Sequence, residues 1–208
     1  MATLDRITIE ADDPAAVAGF YAEALDLADR VQVRAGGAPT SGFRGFTLSL
    51  VVGSPATADG FMESALHAGA AELKPVKKSL WGYGGSVQAP DGTVVTVASS
   101  TKKDAGPATR QIDDLVLQLG VADVAVSKQF YLDHGLTISQ SYGKRYVQFE
   151  TGGITLALLK RPALAKTAGL GQEGSGSHRL VIEGGAGTFT DPDGFAWEDH
   201  QTGPASSR

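Results

Sequence analysis

Residues 4–10 read LDRITIE and residues 112–117 read IDDLVL, so the same kind of stretch occurs early and midway in the chain. In the first stretch apolar and polar residues alternate with the period of two that is typical of a half-buried strand, and the second stretch repeats this opening. A helix signal follows each stretch, ending at Phe20-Tyr21 in the first case and at Phe130-Tyr131 in the second. The repetition predicts two copies of one unit.

The two copies also end alike. Ala89-Pro90-Asp91-Gly92 precedes a Val-rich strand, and Asp191-Pro192-Asp193-Gly194 precedes Phe195 to Glu198. Proline presets φ, aspartate bonds the backbone and glycine tolerates positive φ, which favours a tight turn. Each copy is therefore predicted to close on a hairpin.

The copies differ in their middle parts. The first contains a strand at Phe46 to Val52 and a helix at Thr57 to Ala68. In the second, an inserted segment from Lys160 to Ser177 delays the strand at 178–182, and no helix follows that strand. We predict domains at residues 1–100 and 110–202, a linker at 101–109, and truncation of the second domain.

Composition limits the function. The chain has 208 residues with 42% hydrophobic residues, enough for a packed core, and its 27 glycines are dispersed. A net charge of −5 without basic clusters argues against nucleic acid and membrane partners. The absence of cysteine, of a leader-like N-terminus and of a long apolar run leads us to expect a cytoplasmic protein. Phosphate-loop, dinucleotide-binding, serine-elbow and zincin motifs are absent, which disfavours those enzyme classes.

The ordered set of motifs, present twice, resembles the vicinal oxygen chelate superfamily, which holds glyoxalases, bleomycin-resistance proteins and extradiol dioxygenases. The resemblance implies an α+β fold in which tandem paired βαβββ modules form half-open curled sheets, each a cup for a ligand or metal. Metal ligands would come from three strand positions. In the first domain these are Arg6, Thr47 and Thr96, a poor set for a metal.

The second domain offers Asp114, His178 and Glu198 at those positions. The resemblance implies that these side chains could hold a divalent Fe, Mn, Ni or Zn ion with sites left open for substrate. The alternative is that His178 and Glu198 simply pair at the surface or rim of the domain. Asp114 would then be a solvated carboxylate, since Asp113 and Asp114 face opposite ways on a strand and at most one of them enters the cup. The sequence leaves both possibilities open.

Aromatic and cationic residues give the first domain a second candidate lining. Trp81 and Tyr83 stand among glycines ahead of the closing hairpin, where the resemblance places the cup, and could face a planar ligand. They could equally pack on the neighbouring helix. Arg44 is either a cation at the cup mouth or a solvated loop residue.

Three functions remain as hypotheses. The first is a protein that binds or sequesters a small, partly aromatic metabolite in the cup, lined by Arg6, Arg44, Thr47, Trp81, Tyr83 and Thr96. The second is a metal-dependent lyase, isomerase or dioxygenase for a substrate with adjacent oxygens. The third is a non-catalytic oligomeric partner, a homodimer in which another chain completes the truncated domain. No catalytic residue stands out.

Overall fold

The computed structural model describes residues 2–80, 82–104 and 106–199. Strands dominate that part of the chain, and none of its helices is long and apolar enough to cross a membrane. The strands are β1 (Arg6–Ala11), β2 (Val31–Ala35), β3 (Thr40–Gly42), β4 (Phe46–Val51), β5 (Ala71–Ser79), β6 (Gly82–Gln88), β7 (Val94–Ser99), β8 (Asp114–Val121), β9 (Thr137–Ser141), β10 (Tyr146–Glu150), β11 (Thr155–Lys160), β12 (Gly174–Gly176), β13 (Leu180–Gly184), β14 (Phe189–Thr190) and β15 (Ala196–Asp199). The helices are α1 (Pro14–Gly19), α2 (Pro55–His67), α3 (Val124–Asp133) and α4 (Arg161–Ala168), and a π-helical turn covers Phe20–Ala24.

The strands and hairpins that define the repeat are where the sequence predicts them. Ile7 on β1 and Leu115 on β8 are fully buried. At both closing turns glycine adopts positive φ, +89° at Gly92 and +90° at Gly194. The backbone N–H of Asp191 donates to the carbonyl of Phe195 at 3.0 Å, which closes the second hairpin. The alternation and the turn chemistry are therefore confirmed.

An eight-stranded curled sheet combines one complete module from each half of the sequence. Its order is β5-β6-β7-β4-β8-β11-β10-β9, and the modules meet where β4 and β8 pair antiparallel, with Leu48 opposite Leu117. In each module the last strand runs parallel to the first: β7 beside β4, and β11 beside β8. This is the predicted βαβββ arrangement, twice.

A five-stranded sheet, β14-β15-β13-β1-β2, also combines strands of both halves, and the last two strands, β3 and β12, pair antiparallel in a two-stranded ribbon. β1 pairs antiparallel with β13, and β2, which comes directly after the first helical segment, runs parallel to β1. Between β13 and β14 the described chain has no helix, as the truncation predicts. Each sheet thus draws on both halves, and the division of the sequence into halves is not a division into sheets.

The inserted segment forms α4, which packs against the polar face of the eight-stranded sheet. Leu48 and Val95 belong to the main core on the other face, whereas Val94 joins a small cluster with Phe43 and Leu164 of α4. Because neighbouring strand residues face opposite ways, α4 must lie on the face opposite the main core. It occupies part of the cup.

A buried tyrosine joins the first helical segment of each half to the closing turn of that half. The hydroxyl of Tyr21 donates to Asp91 Oδ1 at 3.0 Å, and that of Tyr131 donates to Asp191 Oδ2 at 2.7 Å. Both tyrosines are fully buried, and burial raises the pKa of each phenol well above 10. These bonds couple the complete module of each half to its incomplete one.

Candidate functional site

The free part of the cup in the eight-stranded sheet is a cavity of about 380 Å³. Its floor is formed by polar side chains from three central strands: Ser49 on β4, Thr96 on β7 and Gln118 on β8. Pairing places Ser49 opposite Thr96, and it places Thr47, the next residue on the same face of β4, opposite Gln118. Thr167 of α4 borders the cavity from above the sheet.

The floor presents hydrogen-bonding groups that the protein itself leaves free. Thr47 Oγ1 donates to Gln118 Oε1 at 2.9 Å, which orients the amide and leaves its NH₂ group without a partner among the described residues. The hydroxyls of Ser49 and Thr96 likewise make no hydrogen bond within that part of the chain. Three donors are thus available to a ligand.

Lysines make the rim electropositive. Lys74 and Lys77 of β5 border the cavity, and Lys74 Nζ donates to the carbonyls of Lys166 and Thr167 at 2.6 and 2.7 Å. Partial burial, and then the charges of Lys77 and Lys166, lower the pKa of Lys74. These neighbouring positive charges favour the binding of an anion at the rim of the cavity.

The wall beside Thr96 is formed by glycine backbone. On β6, Gly82 and Gly84 border the cavity without side chains. A Cβ on Gly84 would lie 2.3 Å from the carbonyl oxygen of Val97, so the approach of β6 to β7 requires glycine there. The result is a flat strip of backbone that a planar ring could contact.

The ring of Tyr83 does not extend the floor. Tyr83 borders the cavity, but its side chain packs with the main core, and its hydroxyl donates to Asp59 Oδ1 of α2 at 2.7 Å. That bond raises the pKa of Tyr83 to about 12. Of the two alternatives for Tyr83, packing on the helix is the one observed; Trp81 lies outside the described residues.

Arg44 is neither at the cup mouth nor solvated. Its side chain is 3% exposed, and Nη2 donates to Asp91 Oδ2 at 2.8 Å and to Thr93 Oγ1. Because Asp91 also accepts from Tyr21, the arginine belongs to the buried anchor of the first closing turn. Both alternatives drawn from the sequence are therefore wrong for Arg44.

Several solved structures are similar to this chain in fold. Glyoxalase I from Zea mays aligns with a TM-score of 0.60 at 11% identity over 95% of this chain and 91% of its own, and a single-site mutant of it with 0.61 at 13% over 96% and 92%. A candidate dioxygenase from Bacillus subtilis aligns with 0.52 at 14% over 87% and 69%. This chain has the vicinal oxygen chelate fold. No family model and no curated protein matches the sequence.

Within this vicinal oxygen chelate fold, the predicted metal ligands do not come together. Asp114 lies on the eight-stranded sheet, where both its carboxylate oxygens accept from Thr155 at 2.9 and 3.0 Å. Glu198 lies on the five-stranded sheet, 3.5 Å from Arg34 Nη1. Sequence alone could not separate them, because the separation arises from pairing between the halves.

His178 is also held away from a metal role. Its Nδ1 faces the carbonyl of Arg44, its Nε2 faces the carbonyl of Asp193 at 3.1 Å, and its ring stacks on Phe195. A backbone carbonyl oxygen thus lies against each ring nitrogen, where a metal ion would have to bind. Among the described residues no group of three or more His, Asp or Glu is placed to hold a metal.

The polar face of the five-stranded sheet is occupied by its own ion pairs. Arg34 Nη2 bonds Glu10 at 2.8 Å, and Arg6 Nη1 lies 3.9 Å from Glu183, which also accepts from Thr8. Arginines thus neutralise the carboxylates that might have held a cation. Arg6 belongs to this sheet and does not line the cup. Within the described ranges, neither sheet presents a donor set that fits a divalent metal.

Two residues of the floor were missed from sequence. Ser49 and Gln118 interrupt the apolar runs FTLSLVV and LVLQLGV, and a polar residue on a central strand is a signal for a polar face. Ser49 lies two positions beyond Thr47, so it shares the face of that predicted residue. The rim lysines carried no such signal.

Proposed function

We propose that the protein binds a small, oxygen-bearing organic anion in the cup of the eight-stranded sheet, through hydrogen bonds and without a metal. The observation that carries this proposal is the set of three unpartnered donors, on Ser49, Thr96 and Gln118, at the floor of a cavity with a lysine rim. Such groups lose hydration when a ligand enters, and a ligand oxygen restores their hydrogen bonds.

The lining defines the ligand class. A carboxylate suits the positive rim at Lys74 and Lys77, while hydroxyl or carbonyl oxygens suit the floor. The glycine strip of β6 favours a flat group, in keeping with a partly aromatic metabolite. A volume of about 380 Å³ lies in the range of small-molecule sites.

Binding rather than catalysis is the function that this geometry supports. The metal-dependent lyase, isomerase or dioxygenase needs Asp114, His178 and Glu198 around one ion, and these residues lie on different sheets or have their ring nitrogens engaged. The homodimer stays a prediction; sedimentation of the purified chain would test whether a second copy pairs with the short edge strand β14.

A ligand screen tests the proposal. Ligand-observed NMR with a panel of small carboxylates, from pyruvate to salicylate, should find at least one that binds saturably. Gln118→Ala and Thr96→Val should each weaken that binding about tenfold, the loss of one hydrogen bond to a charged or polar oxygen. Gln140→Ala, on the exposed outer strand β9, is the matched control and should bind as the wild type does.

Two results would contradict the proposal. One is that no member of the panel binds. The other is that a bound carboxylate is insensitive to both floor substitutions, since the ligand would then lie elsewhere.

A further inference from the structure

A second polar cavity lies at the opposite end of α4 from the cup. Thr167, near the end of α4, borders the cup, whereas Arg161, its first residue, borders the second cavity, and an eight-residue helix is about 12 Å long. This cavity has a volume of about 100 Å³. Its side-chain lining is formed by Thr40, Phe43, Arg44, Arg161, Ser175, Ser177 and His178.

Arg44 has hydrogen-bonding capacity that the described chain does not use. One face of its guanidinium lies over the Phe46 ring, 5.4 Å from the centroid, and Nη2 is bonded to Asp91 and Thr93. Nε and Nη1 are buried and have no acceptor among the described residues. Buried N–H groups of a charged side chain are costly to leave unpaired, so the site calls for an acceptor in the guanidinium plane.

Arg161 adds a charge with no carboxylate partner. Its Nε donates to the carbonyl of Gln172 at 3.0 Å and its Nη2 to that of Phe43, and it forms no ion pair with any described residue. Gly45, at φ +88°, leaves it room, because a Cβ there would lie 2.4 Å from Arg161 Nη1. None of the described residues that line this cavity is acidic.

The larger cavity on Arg44, of about 290 Å³, is a poorer place for an anion because Asp91 and Asp12 in its lining already balance the charges of Arg44 and Arg179. The smaller one is instead covered by the ribbon in which β3 pairs with β12. Ser175, Ser177 and two glycines line that side; the Ser175 hydroxyl lies 3.0 Å from that of Ser41, and the Ser177 hydroxyl accepts from the backbone N–H of Arg179 at 3.0 Å. Small polar residues there allow close approach to an oxyanion.

We propose that this cavity between Arg44, Arg161 and the β3–β12 ribbon is a separate binding site for an oxyanion, the carboxylate or phosphate of a small molecule. The oxyanion would supply the acceptors that the buried arginine lacks and balance the charge of Arg161. The site is independent of ligand binding in the cup.

Titration of the full chain with inorganic phosphate, sulfate and acetate, each separately, tests this site. The arginine Nε–H signals of Arg44 and Arg161 and the backbone amides of Ser175 and Ser177 should shift saturably in ¹H–¹⁵N spectra with at least one anion. Arg161→Gln should weaken binding at least about tenfold. Arg145→Gln makes the same charge change at an exposed position and should have no effect.

Arg161 is half-buried and outside the buried Arg44–Asp91 pair, so its replacement leaves that anchor intact. The absence of a saturable response to all three anions would mean that the cavity holds only water, and it would overturn the proposal. An equal affinity of Arg161→Gln and wild type, or an equal loss in Arg145→Gln, would do the same. In Gln118→Ala the anion-induced shifts of the Ser175 and Ser177 amides should match those of the wild type, even though the cup binds carboxylates more weakly, which separates this test from that of the cup.

Discussion

Replacing Tyr131 with phenylalanine probes the buried joint between α3 and the second closing turn. The Tyr131 hydroxyl donates to Asp191 Oδ2 at 2.7 Å and accepts from Trp197 Nε1 at 3.3 Å. All three residues are buried, so water cannot replace the lost hydroxyl without opening the core. Two polar atoms, Asp191 Oδ2 and Trp197 Nε1, would be left unpaired.

The size of the effect follows from these two atoms. The other oxygen of the Asp191 carboxylate, Oδ1, still accepts from the backbone N–H groups of Asp193 and Phe195 at 2.9 and 2.8 Å. The carboxylate therefore loses only one of its hydrogen bonds. At about 1–2 kcal/mol for each unpaired atom, Tyr131→Phe should lower the free energy of unfolding by about 2–4 kcal/mol. Tyr21→Phe should cost less, about 1–2 kcal/mol, because Asp91 retains Arg44 and Thr93.

Urea unfolding followed by tryptophan fluorescence and circular dichroism measures the free energies of unfolding. Tyr142→Phe, at a side chain that is 61% exposed, is the matched control and should stay within about 0.5 kcal/mol of wild type. A loss below about 0.5 kcal/mol for Tyr131→Phe would refute the reasoning that this bond anchors the turn. So would a larger loss for Tyr21→Phe than for Tyr131→Phe.

The loss should also depend on pH. Burial raises the pKa of Asp191, and the Tyr131 hydroxyl counteracts part of that rise. Without the hydroxyl the pKa of Asp191 rises further. As pH falls, Asp191 therefore becomes protonated at a higher pH in the variant than in the wild type, and the penalty of its buried charge disappears. The deficit of Tyr131→Phe should therefore be largest near neutral pH and shrink toward pH 4. A deficit constant over that range would contradict a charged Asp191 as the acceptor.

Three further predictions concern stability. The pKa values of Tyr21 and Tyr131 are raised well above 10, so the free energy of unfolding should be constant in this respect below pH 10 and fall above it by up to about 1.4 kcal/mol per pH unit for each phenol. The double phenylalanine variant should lose stability less steeply with rising alkaline pH. An unchanged slope of stability against pH would count against buried phenols. Arg110→Ala removes a hydrogen bond to Asp26 Oδ2 at 2.7 Å and the stacking of the guanidinium over the Phe61 ring, 4.6 Å from its centroid. The substitution should lower the free energy of unfolding by about 1 kcal/mol and speed amide exchange in the π-helical turn. Exchange equal to that of the wild type would show that Arg110 does not stabilise this turn. Gly84→Val should lower the free energy of unfolding by about 1–3 kcal/mol because the new Cβ would meet the Val97 carbonyl oxygen. Gly106→Val is the control, since a Cβ at Gly106 would enter open space. Equal melting temperatures for the two variants would contradict the close approach of β6 to β7.

The local part of the fold was readable from sequence because it depends on short-range chemistry. Alternation around Ile7 and Leu115, and the two Pro-Asp-Gly turns, specify strands and hairpins through neighbouring residues. The sequence after β13 leads almost directly into the closing turn, which predicts that no helix lies between them. Which module pairs with which depends on contacts between distant strands, and no local pattern records that β4 pairs with β8.

The site was less predictable for the same reason and for a second one. The resemblance groups Asp114 with Glu198 because it places metal ligands at both positions of the second half, but strand pairing puts them on separate sheets. The orientation of Tyr83 was undetermined because Gly82, Gly84 and Gly85 flank it, and glycines give no alternation from which to assign a face. Thr47 and Thr96 come from the resemblance; Thr96 borders the cavity, whereas Thr47 is buried beside it.

A crystal of the protein soaked with a carboxylate that binds in the NMR screen would show where the ligand lies. The molecule should occupy the cup of the eight-stranded sheet, with oxygens within hydrogen-bond distance of Ser49, Thr96 and Gln118 and its carboxylate toward Lys74 or Lys77. A molecule bound instead on the five-stranded sheet, among Arg6, Glu183 and Glu198, would contradict it.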